Sequence, residues 1–191
     1  MKKKTRNILI IILVLIGIYI YNSIITKQGN YKAQWANVES SYQRRANLIP
    51  NLVATVKGYA THEKETLESV IKARSEATKI NIDAEHITPE NISKFQNAQQ
   101  GLSGALSKLL LVVERYPDLK ANQNFLELQS QLEGTENRIN IARDRYNEIA
   151  TNYNIYIKKF PMIIISKPFG FQSAILFKSE EKSKKAPKVE F

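Results

Sequence analysis

The sequence predicts an all-α protein, an up-and-down antiparallel helical bundle carried on one N-terminal transmembrane helix. Three observations predict it. Three long stretches repeat apolar residues at alternating spacings of three and four, the period of one buried helix face. Short links join them, and short links make sequential helices antiparallel neighbours. Ahead of them lies an uncharged apolar run long enough to cross a bilayer.

The apolar run comes first in the chain. Residues 1–7, MKKKTRN, form a basic tail, and the 18 residues from Ile8 to Ile25, ILIIILVLIGIYIYNSII, carry no charge. At ~1.5 Å per residue they reach ~27 Å, enough for a bilayer core with little tilt. Tyr19 and Tyr21 sit toward the far end, where amphipathic aromatics favour the interface. No small-x-small cleavage site follows, only YNSIITKQGN, so the segment reads as an uncleaved single-pass anchor. Lys2, Lys3, Lys4 and Arg6 precede the span, while only Lys27 and Lys32 follow closely. The positive-inside rule therefore predicts a cytoplasmic N-terminus and an extracytoplasmic domain over residues 26–177.

The first bundle helix is predicted from Gln34 to Ala77. Trp35, Val38, Tyr42, Arg45, Ile49, Leu52, Val56, Tyr59, Glu63, Thr66, Val70, Ala73 and Ala77 share one stripe. Only Pro50 and Gly58 object to a helix there. Because the stripe keeps its phase through Pro50, that proline is expected to kink the helix, not to end it. Thr88-Pro89-Glu90 reads as the start of a second helix: a hydroxyl cap, a proline at the first position and an acid at the positive dipole end. Phe95, Leu102, Leu106, Leu109, Val113 and Tyr116 form its stripe, Gly101 and Gly104 are expected to permit close approach of a neighbour, and Pro117 ends it. With Asn122 or Asn124 as cap, a third helix carries Phe125, Leu128, Leu132, Thr135, Ile139, Ala142, Tyr146, Ile149, Tyr153, Tyr156 and Phe160 to Pro161. By rise per residue the three helices are ~64, ~42 and ~55 Å long.

With three long helices, the chain would reach Phe160 at the end of the bundle far from the membrane. The apolar segment Met162–Phe177, broken by Pro168 and Gly170, would then lie too far out to dip back into the membrane, and would either cap that distal tip, the default, or form an exposed patch that recruits a partner. Residues 178–191, KSEEKSKKAPKVEF, have the composition of a charged, disordered tail.

Composition narrows the function. The chain holds 28 Lys+Arg against 18 Asp+Glu, a net charge of +10. Between Thr26 and Phe177 the balance is 19 basic to 15 acidic, so the surplus sits at the two ends. A nucleic-acid binder concentrates its charge on one face, and no nucleic-acid partner is expected. With no cysteine there is no disulfide, thiolate metal site or cysteine nucleophile. His62-Glu63 is not part of an H-E-x-x-H, because position 66 is threonine, and neither histidine has Glu three residues before it. No metal or cofactor is expected, and no nucleophile elbow or phosphate loop appears.

Charged residues on the predicted helices remain. Arg44, Arg45, Glu63, Glu114, Glu136 and Arg143 are candidates for one inter-helix polar network. As structure it would set the register between helices. As a site, a groove around Arg44, Arg45, Glu63 and Glu136 would recognise a carboxylate or phosphate. The seams mostly supply Leu, Val, Ile and Tyr, which fill space, so the structural role is the expected one.

Several strings in this chain are long and unusual. They are WANVESSYQRRANLIPNLVATVKGYATHE at 35–63, LSGALSKLLLVVERYPDLKANQNFLELQSQLEGTENRINIARDRYN at 102–147, and FP then GF near the C-terminus. With RR-x-x-LIPNLV and E-x-YPDLKAN-x-x-F at their centres, they resemble the LemA family of bacterial membrane-anchored helical proteins over about Tyr31 to Phe177. The resemblance implies one N-terminal span and a four-helix domain, hence three long helices plus a shorter fourth, drawn from Met162–Phe177 or from a split at Pro50. It implies no reaction and no catalytic residues. It connects relatives with envelope physiology, magnetosome membranes included, and implies an N-terminus outside the cell, opposite to the charge rule. The expectation is a non-enzymatic scaffold of the cell envelope, held in the membrane and acting through unidentified envelope proteins. The alternative is a small-ligand-binding or enzymatic bundle.

Overall fold

In the computed structural model, which describes residues 3–178, one helix runs from the apolar N-terminal segment into the bundle without interruption. α1 spans Lys3–Tyr59, 57 residues including Gly29 and Pro50. α2 (Lys64–Lys79), α3 (Pro89–Val113), the single turn α4 (Pro117–Lys120), α5 (Gln123–Lys158) and the single turn α6 (Ile163–Ser166) follow. The described residues contain no strand. α1 packs chiefly on α5, α2 packs chiefly on α3, and α1 also meets α2.

Local signals explain the starts. Thr88 caps α3 by accepting from the Asn91 N–H at 3.1 Å, with Pro89 at the first position. Asn122 caps α5 by accepting from the Phe125 N–H at 3.1 Å. Each oxygen satisfies one of the donors a helix start leaves open.

The predicted first helix is corrected at its middle. Pro50 lies inside α1 with its neighbours still helical, and the chain turns at residues 60–63 instead. Pro50 removes the donor that would bond the Ala46 carbonyl, yet the Arg74 guanidinium of α2 donates to that carbonyl at 2.8 Å. The helix ends at Tyr59, one residue beyond Gly58, where helical propensity is weak. Ala60 is buried there, and the Glu63 N–H bonds back to the Ala60 carbonyl at 3.2 Å. The shorter fourth helix is therefore α2.

This extra turn reverses everything after it. α1 leaves the base, α2 returns part of the way, α3 runs out again, and α5 comes back to the base. The apolar segment after Phe160 lies against the membrane end of α1, with Phe169 and Phe171 edge-on to Tyr21 at 5.1 and 5.6 Å between ring centroids. The expected distal cap is thus overturned, because one more helix changes the parity of the up-and-down order.

α2, at ~24 Å, covers only the outer half of the bundle. There Ile49, Leu52, Val56, Val70, Leu102, Leu109 and Phe125 make one apolar core. A second core fills the base, where no fourth helix is present: the link 80–88 contributes Ile82, and an extended strap over 171–178 contributes Ala174 and Phe177. Trp35 sits at its centre, stacked on Phe177 with centroids 5.5 Å apart and planes 11° apart, tilted against Phe95 and edge-on to Tyr146. Gly101 and Gly104 are exposed, with open space where a Cβ would stand, so they do not admit a neighbouring helix. Of the tail proposed at 178–191, all but Lys178 lies outside the described residues.

Candidate functional site

Between the two apolar cores lies a polar layer built around Arg45. The side chain is buried, because the α1 stripe that places Tyr42 and Ile49 inward places position 45 inward too. One guanidinium nitrogen donates to Glu136 on α5 at 2.8 Å and to the Ser103 hydroxyl on α3 at 2.9 Å. The other donates to the Gln99 side-chain oxygen at 2.7 Å and to the Gln99 carbonyl at 3.3 Å. The Gln99 amide in turn donates to the Ala77 carbonyl near the end of α2 at 3.3 Å. One arginine thus reaches α3 and α5 directly and α2 through Gln99, and its guanidinium carbon lies 5.2 Å from the Tyr42 ring centre.

The six charged residues singled out from the sequence are distributed over the molecule. Arg45 and Glu136 form a salt bridge. Arg143 lines the same cleft but reaches toward the strap, donating to the Lys178 carbonyl at 3.2 Å over the Phe177 ring. Glu63 lies at the tip, accepting from Arg115 and from the Tyr116 hydroxyl at 3.0 Å each. That bond, more than any burial, raises the Tyr116 pKa. Glu114 pairs with Lys120 at the surface, and Arg44 is exposed. The cleft beside Arg45 has a volume of about 20 Å³, room for little more than a water. Among the described residues no three His, Asp or Glu side chains group as metal ligands.

Two residues that periodicity does not mark hold the strap. Asn154 donates to the Ala174 carbonyl at 2.9 Å and accepts from its N–H at 2.7 Å. Asn147 does the same for Phe177, at 3.1 and 2.8 Å. Each side-chain amide offers one residue of the strap what a neighbouring strand would offer. The spacing suits this: seven helical residues rise ~10.5 Å, and three extended residues span ~10 Å. A hint was present in the sequence, since Asn147 and Asn154 lie seven apart beside the α5 stripe, but the pairing needs the strap's position.

The base core also contains tyrosines with altered acidity. Burial, followed by the neighbouring Tyr31, pushes Tyr153 up to about 12, and Tyr146 is raised for the same reasons. The Tyr146 hydroxyl donates to the Ile175 carbonyl at 2.8 Å, whereas the buried Tyr153 hydroxyl has no protein partner. These are features of a packed interior.

Comparison with known proteins places this architecture. A model described as the LemA family matches residues 34–191. Magnetosome protein MamQ 2 of Paramagnetospirillum magneticum is 28% identical over 177 residues, covering 84% of this chain and 65% of its own length. Magnetosome protein MamQ of Magnetospirillum gryphiswaldense is 26% identical over 178 residues, covering 82% and 64%. Protein LemA of Metamycoplasma hominis is 24% identical over 160 residues, covering 84% and 69%. The chain thus spans just under two thirds of the length of the magnetosome relatives it matches.

Proposed function

The chain belongs to the LemA family, and from that premise we propose that it is a single-pass membrane scaffold of the bacterial cell envelope. On this reading the bundle presents its helical faces to envelope proteins and carries out no reaction of its own. The observation that carries it is the engagement of the inter-helix polar groups with one another. Arg45 directs its charge to Glu136, Gln99 and Ser103, which sets the register of the helices, and the cleft beside it has room for little more than a water. The unbroken α1 supports the anchoring part, since a continuous helix fixes the bundle's position relative to the apolar span. We place the N-terminal segment in the cytoplasm and the bundle outside, on the asymmetry of Lys and Arg around the span.

The test has two stages. After high-salt and alkaline carbonate washes the protein should remain in the membrane fraction. Cross-linking in intact membranes, followed by purification under denaturing conditions, should then return defined envelope proteins. Recovery in the soluble fraction would overturn the anchor. A saturable small-ligand response that is lost in Glu136→Gln would overturn the scaffold in favour of a binding site at Arg45.

A further inference from the structure

Residues 160–171, between α5 and the strap, form a compact apolar turn at the base of the bundle. Phe160, Ile164 and Phe169 are among the most exposed large apolar side chains outside the membrane segment, at 79%, 57% and 64%. Ile165 and Phe169 close an apolar groove of about 360 Å³ against Val14, Gly17, Ile18 and Tyr21 of α1. The turn therefore stands beside the membrane segment itself, reaching the level of its middle.

That height conflicts with a bundle standing wholly above the bilayer. The uncharged run 8–25 needs ~27 Å of hydrocarbon to be buried. Ile20 and Ile24 belong to the base core, and the Ser23 hydroxyl is hydrogen-bonded to the Tyr156 hydroxyl at 2.7 Å. Only residues 8–19 lie outside that core, and twelve residues cover ~18 Å, too little for a hydrocarbon region of ~30 Å. Either the bilayer thins or the base of the bundle enters it.

We propose that the turn 160–171 is a membrane-inserted element, seated in the leaflet on the bundle side, with lipid acyl chains in the groove between it and α1. This rests on the anchor reading above. The backbone donors of the turn are fitted for the task. From Ile163 to Phe171 every N–H donates within the protein: Ile163 to Lys159, Ser166 to Met162, Phe169 to Ile165, Gly170 to Lys167 and Phe171 to Ser166 are examples. The exception is Pro168, which has no N–H to satisfy. Backbone at that depth is tolerated only when its polar groups are paired internally. Gly170, at φ +75°, makes this closure possible: the Phe171-to-Ser166 and Gly170-to-Lys167 bonds are the pair that ends a helix in a left-handed residue. Charge complementarity limits the depth. Lys158, Lys159 and Lys167 are exposed around the turn, and their ammonium groups can extend to lipid phosphates while the stems stay apolar. The turn thus lies at the acyl boundary of that leaflet, below the headgroups.

Because the chain has no cysteine, single spin labels report on one site each. The full chain, reconstituted in phosphatidylcholine/phosphatidylglycerol nanodiscs, would carry Ile164→Cys or Phe169→Cys, with Ile12→Cys in the anchor and Leu111→Cys on the outer bundle as references. All four positions are exposed, and because Phe169 packs on Tyr21, Ile164→Cys is the reporter that leaves that contact in place. Collisions with oxygen relative to a water-soluble nickel chelate should be several-fold higher at positions 164 and 169 than at 111, approaching those at 12. Values at 164 and 169 equal to those at 111, or labels shielded from both reagents, would overturn the proposal while leaving the anchor intact. A water-exposed label at 12 would overturn the anchor reading and this inference with it.

Discussion

The Arg74 side chain donates a 2.8 Å hydrogen bond to the carbonyl of Ala46, the acceptor that Pro50 deprives of its helical partner. Ala46 is buried, so the carbonyl has no ready access to water. A residue of α2 thereby completes the hydrogen bonding of α1 and supports the proline in mid-helix.

Arg74→Met should therefore cost about 1–2 kcal/mol, the penalty for a stranded buried acceptor. In a Pro50→Ala background the helix supplies its own donor, and the same change should cost clearly less. Equal costs in both backgrounds, measured by chemical denaturation, would show that Arg74 acts only through packing.

The polar layer makes a different prediction. Glu136→Ala leaves the Arg45 charge buried with neutral partners only, and a loss of about 3 kcal/mol is expected. Adding Arg45→Met should recover most of it, since an apolar side chain of similar length joins the two cores. If the double variant is as unstable as the single one, the layer contributes more than paired charge.

For the strap, Asn154→Leu and Asn147→Leu each remove two hydrogen bonds and should cost about 1–3 kcal/mol. The loss should be local. Trp35 is the one tryptophan in the chain and stacks on Phe177. Release of the strap should shift its emission to longer wavelength before the helices unfold. Loss of far-ultraviolet ellipticity in step with the emission change would contradict a separable strap.

Alkaline stability should reflect the buried tyrosines. The folded pKa of Tyr153 is raised to about 12, above the ordinary value of 10.0. Its contribution is then complete below about pH 10, where the unfolded phenol is also neutral, and fades as pH rises from there toward 12. Tyr153→Phe should make the denaturation midpoint less steep over that window. At pH 7 it should be neutral or stabilising by about 1 kcal/mol, because the hydroxyl it removes has no protein partner. A destabilised Tyr153→Phe at pH 7 would point to a partner for that hydroxyl.

Much of the fold is legible from local pattern. The stripes of α1, α3 and α5 identify buried residues such as Trp35, Ile49, Leu109, Ile139 and Tyr146, because helical periodicity belongs to each segment alone. The caps at Thr88 and Asn122 are equally local, as is the apolar run of the anchor. The site was less legible. Arg45 and Glu136 meet, but Glu63 finds Arg115 and Tyr116, 52 and 53 residues away; Glu63 and Tyr116 each lie on a stripe, yet periodicity within one helix does not say which residue of another helix it meets.

What the sequence alone determined is the helical class, the long apolar N-terminal run and the inward faces, all set by interactions within a few residues. Tertiary structure decided where the first helix ends, and through that which end of the bundle receives the apolar C-terminal segment. The reason is one of magnitudes. A proline costs a helix ~3 kcal/mol and a glycine ~1, while one hydrogen bond from a distant side chain returns ~1–3. Those terms are too close for local propensity to choose between Pro50 and residues 58–63. Arg74 on Ala46 and Glu63 with Arg115 tip the choice, and the added turn then brings Phe160–Phe171 to the base instead of the tip.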